Sequence, residues 1–220
     1  MGSRIKKFEY EKFDNNLYKL GDQIRELFNV EDLSLIHEQW QSAEKYDLLD
    51  DIETDQFTVY HKHFYNAFRG STIEEAYIEC VGIFIDHLFD APALYQAVPT
   101  FRVHQPGNLA VAAYHKDEDY AHSEHEINVF LPFTRAFGNN TIWAESEIGL
   151  KDFAPMEAEL GEGYIWNGAT LLHGNKVNDT GVSRVSIDFR LLEKSQLVAG
   201  KVSTSNKTKM EIGGYWTEWK

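Results

Sequence analysis

The sequence is poor in cysteine, with a single one, Cys80, in 220 residues. That excludes an intrachain disulfide framework and any cysteine-rich zinc or iron–sulfur site, and a reducing, cytosolic setting is expected. Basic charge is also short: 21 Lys and Arg face 35 Asp and Glu, a net charge of −14. A nucleic acid or an anionic membrane surface needs Lys and Arg to neutralise it, so neither partner is expected. No run approaches the roughly 18 apolar residues of a membrane helix, and the N-terminus has no apolar secretory segment. Met1-Gly2-Ser3 resembles the start of a myristoylation signal, but Lys6 stands where that signal wants Ser or Thr. No repeat, low-complexity tract or Pro/Gly-rich linker divides the chain, so one domain over 1–220 is expected.

The texture changes near residue 91. Before it, 1–91 reads as a mostly helical layer. Ser71 and Thr72 each have a glutamate three residues on, Glu74 and Glu75, a helix-start pattern. Ile73, Tyr77, Cys80, Val81, Phe84 and Leu88 then recur at helical spacing, predicting a helix over 72–89. Leu17 to Phe28 and His37 to Tyr46 are further helical stretches. After it, 92–192 breaks into short apolar or alternating runs separated by turn residues, as in an all-β barrel or sandwich. Strands are expected near 95–104, 108–116, 126–134, 140–146, 162–167, 170–174 and 182–192. The order fits an α+β, mainly β protein: a double-stranded β-helix, or jelly roll, with a helical N-terminal layer and a C-terminal extension over 193–220.

On a strand, side chains two apart share a face, so His115 and Asp117 are expected to project together. His-x-Asp by itself commonly marks a solvated strand end. Here the run Ala169-Thr170-Leu171-Leu172 ends in His173-Gly174, and Arg184 follows after ten intervening residues, with Ser186 two beyond. His-x-Asp, a distant His and an Arg on the next strand is the sequence form of a two-histidine, one-carboxylate iron site with a co-substrate anchor. Such a triad leaves adjacent positions open on iron, which a 2-oxo acid and dioxygen fill. A dicarboxylate end buried in a barrel selects a planar, bidentate Arg over Lys. Ser186 shares the face of Arg184, and so does Arg190, a rival anchor.

These residues resemble the Fe(II)/2-oxoglutarate-dependent oxygenases, and within them the small enzymes of streptomycin-type biosynthetic clusters, relatives of the phytanoyl-CoA hydroxylases and amino-acid halogenases. The likeness runs from about Pro99 to Leu192. It is carried by Pro99-Thr100-Phe101-Arg102-Val103, His115-Lys116-Asp117 with Tyr120 and His122, Glu126-x-Asn128, Leu131-Pro132-Phe133-Thr134, Trp143-Ala144-Glu145-Ser146, His173-Gly174-Asn175 and Arg184-Val185-Ser186-x-Asp188-Phe189-Arg190. The resemblance implies Fe(II) on His115, Asp117 and His173, and 2-oxoglutarate on Arg184 with Ser186 and Asn128. It implies O2 as co-substrate and hydroxylation of an unactivated C–H in a small polar metabolite, such as an amino acid, aminocyclitol or sugar derivative, with release of succinate and CO2. Related halogenases carry a small residue where Asp117 stands, so hydroxylation and not halogenation is expected.

Arg102 and His104 alternate with Phe101 and Val103 and are candidate substrate contacts. Trp143 with Glu145 on one strand, and Tyr164 with Trp166 on another, are candidates for a cationic group, with core packing as the plain alternative. His61-Lys62-His63 is expected to be solvated. The histidines and carboxylates of 115–126 also allow a metal-binding cupin-like isomerase or sensor without oxidative turnover. That site usually asks for His-x-His, whereas His122 and His125 are three apart. Gly213-Gly214-Tyr215-Trp216 is an unusual cluster for a polar tail, suited to folding back over the site, to a dimer contact or to plain packing.

Overall fold

The computed structural model describes residues 5–40, 58–110, 113–198, 200–202 and 208–220. Strand β1 (Ile5–Glu9) opens the chain. Helices α1 (Tyr10–Phe13), α2 (Leu17–Phe28), α3 (Ile36–Gln39), α4 (Val59–Phe68) and α5 (Thr72–Leu88) follow. The strands are then β2 (Ala93–Gln96), β3 (Thr100–His104), β4 (Ile127–Pro132), β5 (Trp143–Ala144), β6 (Ala154–Pro155), β7 (Glu162–Trp166), β8 (His173–Gly174), β9 (Arg184–Glu193) and β10 (Trp216–Glu218).

Helix α5 starts where its cap predicts. The Ser71 hydroxyl accepts from the Ile73 and Glu74 N–H groups, satisfying two orphan donors of the first turn. Glu74 reaches back to the Gly70 N–H at 2.7 Å. Helix α2 matches its expected span, with Leu17, Leu20, Ile24 and Phe28 buried along one face. The third expected helix is shorter: the chain turns extended at Trp40, and 41–46 lies outside the described residues. Helix α4 was not anticipated. It buries His61, so the expectation of a solvated His-x-His fails there: His61 is 1% exposed.

Seven strands form one antiparallel sheet in the order β1-β7-β4-β9-β2-β10, with β3 also paired to β9. A small second sheet has the order β6-β5-β8. The ten-residue β9 is the axis of the large sheet, pairing with β4 on one side and with β3 and then β2 on the other. Its alternation sorts two faces. Val185, Ile187, Phe189 and Leu191 join Phe101, Val103, Val129 and Leu131 in the core shared with the helices. On the opposite face, Phe130 and Trp166 pack with Ala144, Met156 and Leu171 beneath the small sheet.

Three expectations about strands are corrected. The run 95–104 is two strands, β2 and β3, interrupted around Pro99, which has no N–H for a ladder. The run 108–116 is no strand among the described residues. Ala110 takes φ +53°, incompatible with a strand, and only an isolated bridge joins His115 to His173. The sheet also recruits both ends of the chain, with β1 on β7 and β10 on β2. The tail docks tightly: a Cβ at Gly82 of α5 would lie 2.7 Å from the Trp219 ring, so glycine makes room for that indole.

Candidate metal centre

His115 and His173 are joined by two backbone hydrogen bonds, His115 N–H to the His173 carbonyl at 2.9 Å and the reverse at 3.0 Å. Strand β8 places His173 beside Ala144 on its other flank. The imidazoles therefore sit side by side, ring centroids 4.4 Å apart. Asp117 reaches them differently than expected. It does not share a strand with His115; it is the first residue of a 3-10 turn, Asp117–Tyr120. Lys116 is the last extended residue, and its N–H is held by the Asp119 carboxylate at 3.2 Å. Convergence is thus made by a turn across a bridge, not by strand alternation.

The donor set suits a divalent ion. One donor atom from each of His115, Asp117 and His173 lies within 4.8 Å of the others. Asp117 Oδ1 is 3.7 Å from each Nε2. His115 Nδ1 faces the Ala113 carbonyl at 2.8 Å, and His173 Nδ1 faces the Leu171 carbonyl at 3.0 Å. A carbonyl only accepts, so each Nδ1 carries the proton and each Nε2 presents a lone pair to the common point. These two fixed tautomers are what a metal requires of imidazole.

Electrostatics hold the set ready. Burial pushes the Asp117 carboxyl upward, but Arg190, His115 and His173 more than reverse this and keep it well below the usual range. Burial holds His173 below the ordinary imidazole value despite Asp117. Burial lowers His115 too, but the Asp117 carboxylate and the Ala113 carbonyl outweigh it and raise the group. Asp117 Oδ2 accepts from Arg190 Nη2 at 2.7 Å and Asn128 Nδ2 at 3.0 Å. The Asn128 side-chain oxygen Oδ1 accepts the Gly168 N–H at 3.2 Å. Gly168 must be glycine, because a Cβ there would lie 2.8 Å from Asp117 Oδ2 and 2.9 Å from Asn128 Nδ2.

A cleft opens over the three donors. Beyond them its wall includes Arg102, Arg184, Asp188 and Arg190, with Asn128, Ile142, Trp166 and Asn175. Arg184 is 2% exposed. Its Nε donates to the Asn140 carbonyl at 2.9 Å and its Nη1 to the Ser186 hydroxyl at 2.5 Å, so Ser186 braces Arg184 from beneath. Arg102 Nε pairs with Asp188 at 3.3 Å, while its buried Nη1 has no hydrogen-bond partner among the described residues. Trp166 sets its ring edge-on to His173 at 4.7 Å.

Other expected contacts lie elsewhere. His104 is fully buried, with its ring nitrogens 3.1 Å and 2.8 Å from the Asn140 and Asn108 carbonyls. Burial first, then Arg184, lowers it to about 4. Glu145 does not line the cleft, because its carboxylate is filled by the N–H groups of Gly149, Lys151 and Leu172 at 2.9–3.1 Å. The cation over Trp143 is the chain's own Lys176, 3.2 Å from the ring centroid. Sequence reasoning missed Gly168, whose role is a close approach between distant segments, and the part played by Tyr215 and Glu126 behind Arg190.

An antiparallel-sheet protein with a helical layer and a buried two-imidazole, one-carboxylate donor set is the class these observations define. The chain belongs to the family of the streptomycin biosynthesis protein StrG: it is 36% identical to the Streptomyces griseus protein over 211 residues, 96% of this chain and 98% of that one. No protein-family model matches it. Among solved structures, SnoN, described as a non-haem alpha ketoglutarate-dependent epimerase from nogalamycin biosynthesis, shares the fold at TM-score 0.54. It is 9% identical, with 87% of this chain and 78% of SnoN covered. AviO1 from Streptomyces viridochromogenes superposes at TM-score 0.50 and 13% identity, covering 90% and 93%.

Proposed function

We propose that the chain is a non-haem Fe(II)- and 2-oxoglutarate-dependent oxygenase that hydroxylates an unactivated C–H of a small polar metabolite in the cytoplasm. The two sheets then form the faces of a distorted double-stranded β-helix. The observation that carries the reading is the pair of Nδ1-anchored imidazoles converging with one oxygen of Asp117 at the floor of the cleft. His115, Asp117 and His173 would hold the iron. Bound iron with 2-oxoglutarate supplies the dioxygen chemistry that removes hydrogen and releases succinate and CO2.

The chain's own residues do the rest. Arg184, braced by Ser186 and the Asn140 carbonyl, presents a guanidinium fixed in advance to the distal carboxylate of 2-oxoglutarate. Arg190 is spent on Asp117, which supports Arg184 as the anchor. Asn128 serves the site through Asp117, and Arg102 and Trp166 stand on the wall open to substrate. An amino acid, aminocyclitol or sugar derivative is the substrate class, in keeping with the streptomycin biosynthesis relative. No described helix is long and apolar enough to cross a membrane.

Anaerobic addition of Fe(II) and 2-oxoglutarate tests the reading. Bidentate chelation at an open iron gives a weak visible charge-transfer band, and a cupin-like sensor gives none. With the band in hand, a mass-spectrometric screen of candidate metabolites for gain of one oxygen atom identifies the substrate.

A further inference from the structure

Asp117 is unusual among the three donors because both of its oxygens are accounted for. Oδ1 faces the two imidazoles, and Oδ2 is held by Arg190 and Asn128. Arg190 is itself gripped by segments remote in the chain. Its Nη1 donates to the Tyr215 hydroxyl at 3.1 Å and, at a longer 3.5 Å, to Gln96 Oε1. Its buried Nε makes no hydrogen bond and lies 3.8 Å from Glu126 Oε2. Glu126 in turn accepts from His122 Nδ1 at 2.7 Å.

Tyr215 is well placed to hold that guanidinium. Its carbonyl accepts the Ala97 N–H at 2.8 Å, beside the pairing of β10 with β2. Its ring lies edge-on to Trp216 at 4.9 Å and to His122 at 5.6 Å. Trp216 is 1% exposed, so it gives the half-buried Tyr215 ring a fixed wall, and the Tyr215 hydroxyl meets Arg190.

We propose that Tyr215 is a positioning residue which, through Arg190, fixes the oxygen that Asp117 offers to a metal. The proposal rests on the metal-site reading above. A carboxylate with both oxygens free can rotate or bind through both, and the second mode fills a position the co-substrate needs. With Oδ2 tied to a guanidinium and an amide, Oδ1 alone is offered. Without the Tyr215 hydroxyl, Nη1 would keep only the long 3.5 Å contact to Gln96 Oε1, and a guanidinium so loosely held at that end would fix the carboxylate less well. The tail thereby becomes part of the metal site, although none of its residues lines the donor triad.

Binding of Mn(II) to the full chain without co-substrate, followed by the electron paramagnetic resonance signal of the free ion, tests this without any turnover. Arg190→Lys keeps the charge and loses the fork, and should raise the dissociation constant roughly tenfold, the low end for outer-shell changes at metal sites. Tyr215→Phe keeps the ring and loses the hydroxyl, and should raise it several-fold. The double variant should bind no more weakly than Arg190→Lys, because the hydroxyl acts through the guanidinium. Glu218→Gln, which breaks the Lys194–Glu218 pair of β10, should bind as the parent does. Parent-like affinity in Tyr215→Phe, additive losses in the double variant, or an equal loss in Glu218→Gln would overturn the proposal. A parent chain that binds no Mn(II) would overturn the metal site, and this proposal with it.

Discussion

Strand β9 carries two proteins' worth of chemistry on its two faces. Val185, Ile187, Phe189 and Leu191 are each 0% exposed against the helical layer, whereas Arg184, Ser186, Asp188 and Arg190 point to the metal side. The apolar face gains stability from area removed from water and is indifferent to which oily neighbour supplies it. The polar face is built of pairings in which each group has an assigned partner, and losing one partner leaves the other buried and uncompensated. A single strand thus joins a tolerant core to an intolerant site, and substitutions on adjacent residues should fail in different ways.

The sharpest contrast is between Phe189 and Arg184. Phe189→Ala should cost about 3–5 kcal/mol of stability, read by denaturant unfolding, while the folded fraction still binds metal. Under the proposed function Arg184→Ala removes one partner of the charged pair formed with bound 2-oxoglutarate, a cost of about 3–5 kcal/mol, and should raise the apparent constant for 2-oxoglutarate by two or more orders of magnitude, at about 1.4 kcal/mol per tenfold. Arg184→Lys should recover only part of it. A constant unchanged in Arg184→Ala but greatly raised in Arg190→Ala would move the anchor to Arg190.

Gly168→Ala sharpens the contrast from the metal side. The added methyl would press on Asp117 Oδ2 and Asn128 Nδ2, so metal affinity should fall roughly tenfold, within the range of outer-shell changes, with some loss of thermal stability from the same crowding. Acidification should have a milder, graded effect. A metal needs neutral imidazole, and His115 is raised above its ordinary value of about 6.5. Affinity should therefore be full above the raised value and be lost as pH falls through it, starting above the ordinary imidazole range. A metal titration over pH checks the sign; loss that begins only well below that range would contradict it.

Helix α5 was legible because its cap and its 3.6-residue period are local in sequence. The three donors were legible by type and order, since few patterns place His-x-Asp, His and Arg so. What joins them was not. Asp117 leaves the extended chain one residue earlier than alternation predicts, because a side chain, Asp119, closes a turn there. Strands β1 and β10 were hidden because an edge strand's partner is not written in its own residues. Glu145 and His104 looked like site residues by strand parity, yet backbone groups from distant loops claim them. Parity tells which face a residue takes, and only the fold tells what awaits it there.

The proposed iron ligands His115, Asp117 and His173 face the polar side of β9. Iron content after anaerobic reconstitution of the parent and His173→Ala, with circular dichroism as the fold control, tests that assignment most directly. Stoichiometric iron is expected in the parent, with a sharp fall in His173→Ala and an unchanged spectrum. Equal iron in the two folded proteins would contradict it.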